Sequence, residues 1–220
     1  MATAVENRVR TTDHRIVFYA TWDQYETISR AVGDQHVRLA YDGERVELMS
    51  PGQEHEDWKE ILACLIRPIA AALGVPCKGM GSSRWGRPEA ARAIEGDATF
   101  YLTADKIAVA RTRPKKSEDW PLPDLAIEID MSPSKIDRPA IYAALGIPEV
   151  WRFDGQTVRI DRLGADGKYA DARESGWLGV RPEEVVRLLS IDAEDDNDFS
   201  AQVLEWARNV LVPRRERGDG

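Results

Sequence analysis

The sequence is poor in the residues that build disulfide frameworks and zinc sites. It contains two cysteines, Cys64 and Cys77, and three histidines among 220 residues. A structural zinc ion needs four ligands, which two cysteines alone cannot supply. Two isolated thiols are typical of proteins from a reducing compartment, where they pack as small hydrophobic side chains. Neither a disulfide scaffold nor a zinc domain is therefore predicted.

Long apolar runs and a secretory leader are also missing. The longest nearly apolar stretch, Ile61 to Val75, is interrupted by Arg67 and is shorter than the roughly 20 residues that a bilayer span requires. The first eight residues lack the order of basic and then apolar residues that marks a signal peptide. We expect no membrane association and a cytoplasmic location.

An excess of positive charge is absent as well. The chain has 30 basic and 38 acidic side chains, and its formal net charge is −8. This balance argues against a protein that coats nucleic acid through bulk charge. It remains compatible with an enzyme that holds a divalent metal with carboxylates beside a locally basic groove. A hydrophobic content of 43% indicates an ordinary folded chain rather than a disordered one.

The order of patterns along the chain predicts a single α/β (α+β mixed) domain over residues 16–212. It is preceded by a polar, flexible arm over 1–15 and followed by a basic tail over 213–220. Helices are predicted at 21–32, 54–73, 139–145, 182–189 and 198–212, with a kink or break near Pro68 in the second. Strands are predicted at 37–41, 44–49, 76–85, 98–102, 124–130, 149–153, 157–163 and 169–174.

The clearest strand carries three carboxylates on one face. Because side chains alternate along a strand, Leu125, Ile127 and Ile129 share one face, and the carboxylates share the other with Ala126; these are Asp124, Glu128 and Asp130. One interpretation is an edge strand with a wet outer face. The other is a divalent metal site, because like charges crowded together require a compensating cation. Asp97 and Glu47 also lie at or on predicted strands, and either could join such a site or face solvent.

Four ordered segments give the chain a resemblance to a known family. They are Tyr41 to Pro51 followed by His55, Gly96 to Tyr101, Pro123 to Asp130, and Ile141 to Trp151. Together they resemble the family called Putative restriction endonuclease, a branch of the PD-(D/E)xK nuclease superfamily. The resemblance implies a restriction-endonuclease-like fold, in which helices flank a mixed central β-sheet.

The resemblance also implies functional residues. Asp97 and Glu128 would bind Mg²⁺ or Mn²⁺, Glu47 would support them, and Asp124 matches a further family position. DNA would be the substrate, and a homodimer is expected by analogy with enzymes that cut both strands. His55 is either an ordinary helix residue or a residue that contacts the carboxylates without binding the metal itself.

The chain departs from the superfamily pattern at the signature lysine. Two residues after Glu128 the sequence has Asp130, and the basic residue that matches the family lies downstream as Arg138. Arginine stays protonated and stabilises phosphate charge, but it is a poor proton acceptor. Lys135, in the same loop, is the alternative. Two functions therefore stay open: a metal-dependent endonuclease, or a catalytically inactive module on the same fold that binds nucleic acid or protein.

Overall fold

A computed structural model describes residues 13–33 and 35–218. Within these residues, two β-sheets and six α-helices form a mixed α/β architecture, which confirms the predicted fold class and agrees with a restriction-endonuclease-like fold. The helices are α1 (Trp22–Val32), α2 (Gln53–Leu73), α3 (Ala104–Arg111), α4 (Arg138–Leu145), α5 (Pro182–Leu189) and α6 (Asp196–Arg217). None of the helices in this part of the chain combines the length and the hydrophobicity that a membrane crossing requires.

The strands form two separate sheets rather than one central sheet. They are β1 (His14–Tyr19), β2 (Arg38–Tyr41), β3 (Arg45–Ser50), β4 (Lys78–Gly81), β5 (Arg84–Arg87), β6 (Arg92–Glu95), β7 (Ala98–Tyr101), β8 (Leu125–Ile129), β9 (Glu149–Phe153), β10 (Val158–Leu163) and β11 (Tyr169–Asp171). The first sheet is antiparallel with the order β1-β3-β2-β6-β5. The second has the order β11-β10-β9-β8-β7-β4, and its β8 and β9 are parallel because α4 connects them.

The two faces of β8 belong to different cores, and its alternating sequence predicts which residues share a face. Leu125, Ile127 and Ile129 pack in the cluster that also contains buried residues of α2, α5 and α6. Ala126 packs in a second cluster with residues of α4 and the first sheet. Since Glu128 shares the face of Ala126, its carboxylate points into the space between the two sheets. That space is where the candidate site forms.

A third cluster covers the outer face of the first sheet. Helix α1 begins after Thr21, whose side chain accepts a hydrogen bond from the backbone of Gln24 in a capping box. Its Tyr25 packs against Leu39 and Tyr41 of β2. Ala40 lies between these two residues on the opposite face of β2 and belongs to the inner cluster. The inner face of the first sheet therefore looks toward the second sheet.

The structure differs from the sequence predictions at both ends of the domain. Strand β1 begins at His14, so residues 14 and 15 are strand rather than a flexible arm, while residues 1–12 lie outside the described part. Helix α6 continues through Pro213 to Arg217, so most of the predicted tail is helical. The extension is stabilised because Arg214 forms an ion pair with Glu184 of α5, with one Nη1–Oε2 distance of 3.0 Å.

The structure also differs from the predictions inside the domain. Helix α2 runs from Gln53 to Leu73 without a break at Pro68, and a kink there stays a prediction. The segment predicted as one β region over 76–85 contains β4 and β5, which belong to different sheets, and the arginine-rich connection after it forms β6. Helix α3, between Ala104 and Arg111, was not anticipated because its apolar residues lack a clear helical period.

Candidate functional site

Asp97 and Glu128 come together through the register of two neighbouring strands. The antiparallel ladder of β7 and β8 pairs Ala98 with Ile127, so the next position along the ladder brings Asp97 opposite Glu128. Both side chains are buried. The backbone N–H of Ile129 donates a 2.8 Å hydrogen bond to Asp97 Oδ2. Opposite positions in a ladder share one face, and like charges placed there destabilise the sheet unless cations neutralise them.

Helix α4 supplies the partners of Glu128. Arg138 and Tyr142 are four residues apart, so they lie on the same face of the helix. Arg138 Nε and Nη2 each donate a 2.9 Å hydrogen bond, to Oε2 and Oε1 of Glu128 respectively. The Tyr142 hydroxyl also donates to Oε1. Burial raises the pKa of Glu128 to about 7 against the opposing charge of Arg138, and the nearby carboxylates of Asp97 and Asp130 add to the rise.

A separate set of cations holds Asp97. His55, near the start of α2, lies with its Nε2 2.8 Å from Asp97 Oδ1. The Nε of Arg38, on β2, is also 2.8 Å from this oxygen, although the angle is not that of a hydrogen bond. Burial favours the neutral acid, but the hydrogen bond from His55 and the charges of His55, Arg38 and Arg138 hold the pKa of Asp97 below its ordinary value.

Glu47 joins the cluster from the inner face of the first sheet. It lies on β3 and is completely buried. Arg15 Nη1 donates a 2.8 Å hydrogen bond to Glu47 Oε1, and Arg138 Nη1 lies 3.5 Å from the same oxygen. Ser134 and the backbone N–H of Lys135 donate to its other oxygen. Arg138 therefore links Glu47 of one sheet to Glu128 of the other.

Asp13 and Arg15 are site residues that the sequence analysis missed. Asp13 Oδ2 lies 3.2 Å from His55 Nδ1 and accepts a 2.9 Å hydrogen bond from Ser132. His55 thus lies between two carboxylates. Burial disfavours the imidazolium ion, but the hydrogen bonds to Asp13 and Asp97 raise the pKa of His55 to about 9. The alternation of Arg15, Val17 and Tyr19 with the residues between them was a weak signal for β1, and nothing local marked Asp13.

Asp124 does not belong to this cluster, although the sequence analysis grouped it with Glu128. Its carboxylate accepts hydrogen bonds from the backbone of Leu102, from Thr103 and from Lys106, which surround the start of α3. The two residues share a face of β8, but a strand rises about 3.3 Å per residue, so four residues separate them by roughly 13 Å. The alternation of side chains shows which residues share a face but not how far apart they lie along the strand.

Lys135 and Asp130 lie at the margin of the site. The Lys135 side chain is exposed, and only the backbone N–H of this residue contacts Glu47. Asp130 is partly exposed, with its Oδ2 3.7 Å from Arg152 Nη1. The position two residues after Glu128 therefore carries a second acid rather than a cation, and Arg138 is the basic group that reaches Glu128.

The carboxylates match the ligand chemistry of a divalent cation, but arginines engage them in the structure. Mg²⁺ commonly uses one or two carboxylates and keeps several waters, and Asp97 and Glu128 offer such a pair. Within residues 13–33 and 35–218, no group of three His, Cys, Asp or Glu side chains has an arrangement suited to a metal ion. A divalent ion here would therefore take these two carboxylates and water as ligands, and Arg138 would have to release Glu128.

Comparison with known proteins identifies the family of the chain. No curated protein sequence matches the chain. A family model does match it over residues 22–194, which include Glu47, Asp97, Glu128 and Arg138 but not Asp13 or Arg15. The description of that family is "Putative restriction endonuclease", and its name is Uma2. Because the match covers most of the 220 residues, the chain belongs to the Uma2 family of restriction-endonuclease-like proteins.

Proposed function

We propose that this protein is a metal-dependent endonuclease that hydrolyses phosphodiester bonds in DNA. The observation that carries the proposal is the buried pair of Asp97, directly before β7, and Glu128 of β8, with Arg138 alongside. Membership of the family supports a nuclease-like function at the level of the class. DNA as the substrate, Mg²⁺ or Mn²⁺ as the cofactor, and the roles of the individual residues are our proposal.

Each residue of the cluster has a defined task in this proposal. Asp97 and Glu128 would hold the metal, which when bound polarises a phosphate oxygen and lowers the pKa of a bound water. His55 and the Ile129 N–H fix the direction of the Asp97 carboxylate. In hydrolysis a water oxygen forms a bond to phosphorus, the bond to the leaving oxygen breaks, and that oxygen takes a proton.

Arg138 would stabilise negative charge rather than accept a proton. Its guanidinium is buried, and the neighbouring Glu128 carboxylate raises its pKa, so it stays charged. Released from Glu128, it lies beside the same carboxylate pair, where its planar donors suit phosphate oxygens. Arg138 Nη1 also lies 3.5 Å from Glu47 Oε1, and this second ion pair would keep the guanidinium near the site. We therefore assign Arg138 to phosphate binding and give no catalytic role to the exposed Lys135.

Cleavage of supercoiled plasmid tests this function. We expect nicking that requires Mg²⁺ or Mn²⁺, stops with a chelator, and is lost in Asp97→Asn purified in the same way. Arg208→Gln is the matched control, because Arg208 is an exposed residue of α6 outside the cluster. Cleavage that persists in Asp97→Asn would indicate a contaminating nuclease and would contradict the proposal.

The alternative is a catalytically inactive module that binds nucleic acid or protein. It is favoured by one observation, which is that Arg138 occupies both oxygens of Glu128 and so blocks a metal ligand. Such a module would bind DNA or a protein without consuming it. Wild-type protein that binds duplex DNA equally well with chelator or Mg²⁺, and never nicks it, would favour this alternative.

A further inference from the structure

Strand β1 leaves an apolar edge open in the described structure. It is the outermost strand of the first sheet and pairs only with β3. Its alternation places Arg15 and Val17 on the inner face and Ile16 and Phe18 on the outer face. Ile16 is 64% exposed and Phe18 is 39% exposed, and Tyr19 at the end of the strand is 81% exposed. Exposed apolar residues beside the unpaired edge of a strand favour pairing of that edge with another chain.

The other three sheet edges in the described residues are protected. Strand β5 carries Arg84 and Arg87, and Arg87 donates to the carbonyl of Trp120 in the segment alongside. Strand β4 has an irregular register between Gly79 and Gly81. Strand β11 has only three residues and ends in Asp171. Charges, irregular registers and short strands all oppose edge-to-edge pairing. Strand β1 has six residues in unbroken register and none of this protection on its outer face.

The outer face of β1 adjoins a groove in front of α1. Phe18, Tyr19 and Ala20 form one wall of this groove, and residues of α1 form the other; these are Asp23, Gln24, Thr27 and Ile28. Its volume is about 390 Å³. The apolar surface therefore continues from the strand edge onto the helix, which gives an incoming strand a place for its own side chains.

The sequence of β1 is complementary to a second copy of itself. Residues opposite each other in an antiparallel pair share a face, so a two-fold axis at Val17 would place Ile16 of one copy against Phe18 of the other. The same register brings His14 near Ala20 of the other copy, at the N-terminal turn of α1 that carries Asp23. This register points His14 toward the helix turn that contains the acidic Asp23, and the strand itself contains no carboxylate that would repel its copy.

We propose that β1 is a homodimer interface, in which two copies pair antiparallel about Val17 and join their five-stranded sheets into one. The proposal does not depend on nuclease activity. It predicts a symmetric contact in which each Phe18 packs between Ile16 of the partner and the groove in front of its own α1. Because Asp13 and Arg15 lead from this strand into the carboxylate cluster, the interface lies directly behind the candidate site.

The mass of the protein in solution tests this proposal. Light scattering after size-exclusion chromatography should give a dimer for the full chain and an approximately twofold lower mass for Phe18→Glu. Val109→Glu is the matched control, because Val109 is also an exposed large apolar residue, 41% exposed, but lies on α3. We expect Val109→Glu to remain a dimer, and circular dichroism to show both variants folded.

Cysteine cross-linking tests the register. The double variant Ile16→Cys/Phe18→Cys should form an intermolecular disulfide under mild oxidation faster than either single variant, because residue 16 of one copy faces residue 18 of the other. The unaltered chain, with its own Cys64 and Cys77, measures the background. A monomeric wild-type protein, a Phe18→Glu variant that stays dimeric, or equal dissociation of Val109→Glu would overturn the interface. Cross-linking no faster than the background would overturn the register.

Discussion

Asp97, directly before β7, and Glu128 of β8 extend the β7–β8 register by one position, and each lies against a different arginine. Arg38 of β2 lies against Asp97, whereas Arg138 of α4 binds both oxygens of Glu128. The ladder forces two carboxylates together, and residues from the opposite sheet and from α4 neutralise them. The site is therefore assembled by both sheets, and its charge balance is sensitive to any single substitution.

Replacement of Arg138 should expose this dependence. Arg138→Gln leaves Glu128 and Glu47 buried without their shared cation, so we expect the free energy of unfolding to fall by about 3–5 kcal/mol in metal-free buffer. If Asp97 and Glu128 bind Mg²⁺, added Mg²⁺ should raise the melting temperature of Arg138→Gln more than that of the wild type. Thermal denaturation with and without Mg²⁺ checks both expectations. An identical response of the two proteins to Mg²⁺ would be evidence against a metal site at this pair.

The raised pKa of His55 predicts a pH-dependent stability. The pKa is about 9 in the folded protein against an ordinary value of 6.5. The stabilisation is therefore fully present below pH 6.5 and is lost as the pH rises through about 9; it amounts to on the order of 3 kcal/mol. Urea denaturation across this range, in metal-free buffer, should show the decline in the wild type. In His55→Gln the decline should be absent.

The carboxylate of Asp13 is part of the same titration. Asp13→Asn keeps the size of the side chain but removes the charge beside His55 Nδ1. We expect the decline in stability to shift to lower pH in this variant, because one of the two carboxylates that raise the pKa of His55 is gone. An unchanged pH profile in Asp13→Asn would show that Asp97 alone determines the charge state of His55.

Asp124 was grouped with Glu128 by the strand pattern, but in the structure its carboxylate binds residues around the start of α3. Asp124→Asn removes the ion pair with Lys106, where Oδ1 and Nζ are 2.6 Å apart, and weakens the bond to the Leu102 N–H. We expect a loss of about 1–3 kcal/mol in stability, because buried partners lose a charged acceptor. Metal-dependent cleavage per folded molecule should stay close to that of the wild type. A folded Asp124→Asn protein without activity would contradict this expectation and indicate that Asp124 has a role in cleavage.

Local patterns in the sequence predicted the elements that are marked by strong periodicity or turns. The structure contains the alternating strand β8 and the helix over residues 182–189. It also pairs the neighbouring strands predicted at 37–41 and 44–49 as a hairpin around Asp42 and Gly43. The hairpin turn requires a glycine because Gly43 has a φ of 98°. The division into two sheets was not predicted, since pairing partners such as β2 and β6 are distant in sequence and leave no local trace.

The sequence predicted only part of the site, because the site also depends on contacts between residues that are distant in sequence. Three of its residues, Glu47, Asp97 and Glu128, belong to segments that resemble the family. Arg138 lies three residues before the fourth segment, and the structure brings it to Glu128 and Glu47. Arg38 has no local signature, because a charged residue on a short strand usually faces solvent. Asp13 has no local signature either, since it reaches His55 only because β1 runs next to α2. Only tertiary contacts therefore show that Arg38 lies against Asp97 and that Asp13 contacts His55.

Titration of Mn²⁺ into the purified protein tests the central claim most directly, because a metal site at Asp97 and Glu128 must bind the ion before any cleavage. Calorimetry should show saturable binding to the wild type and to Asp124→Asn, and loss of that binding in both Asp97→Asn and Glu128→Gln. Absence of binding to the wild type, or equal binding to all four proteins, would contradict the metal site and favour the inactive binding module.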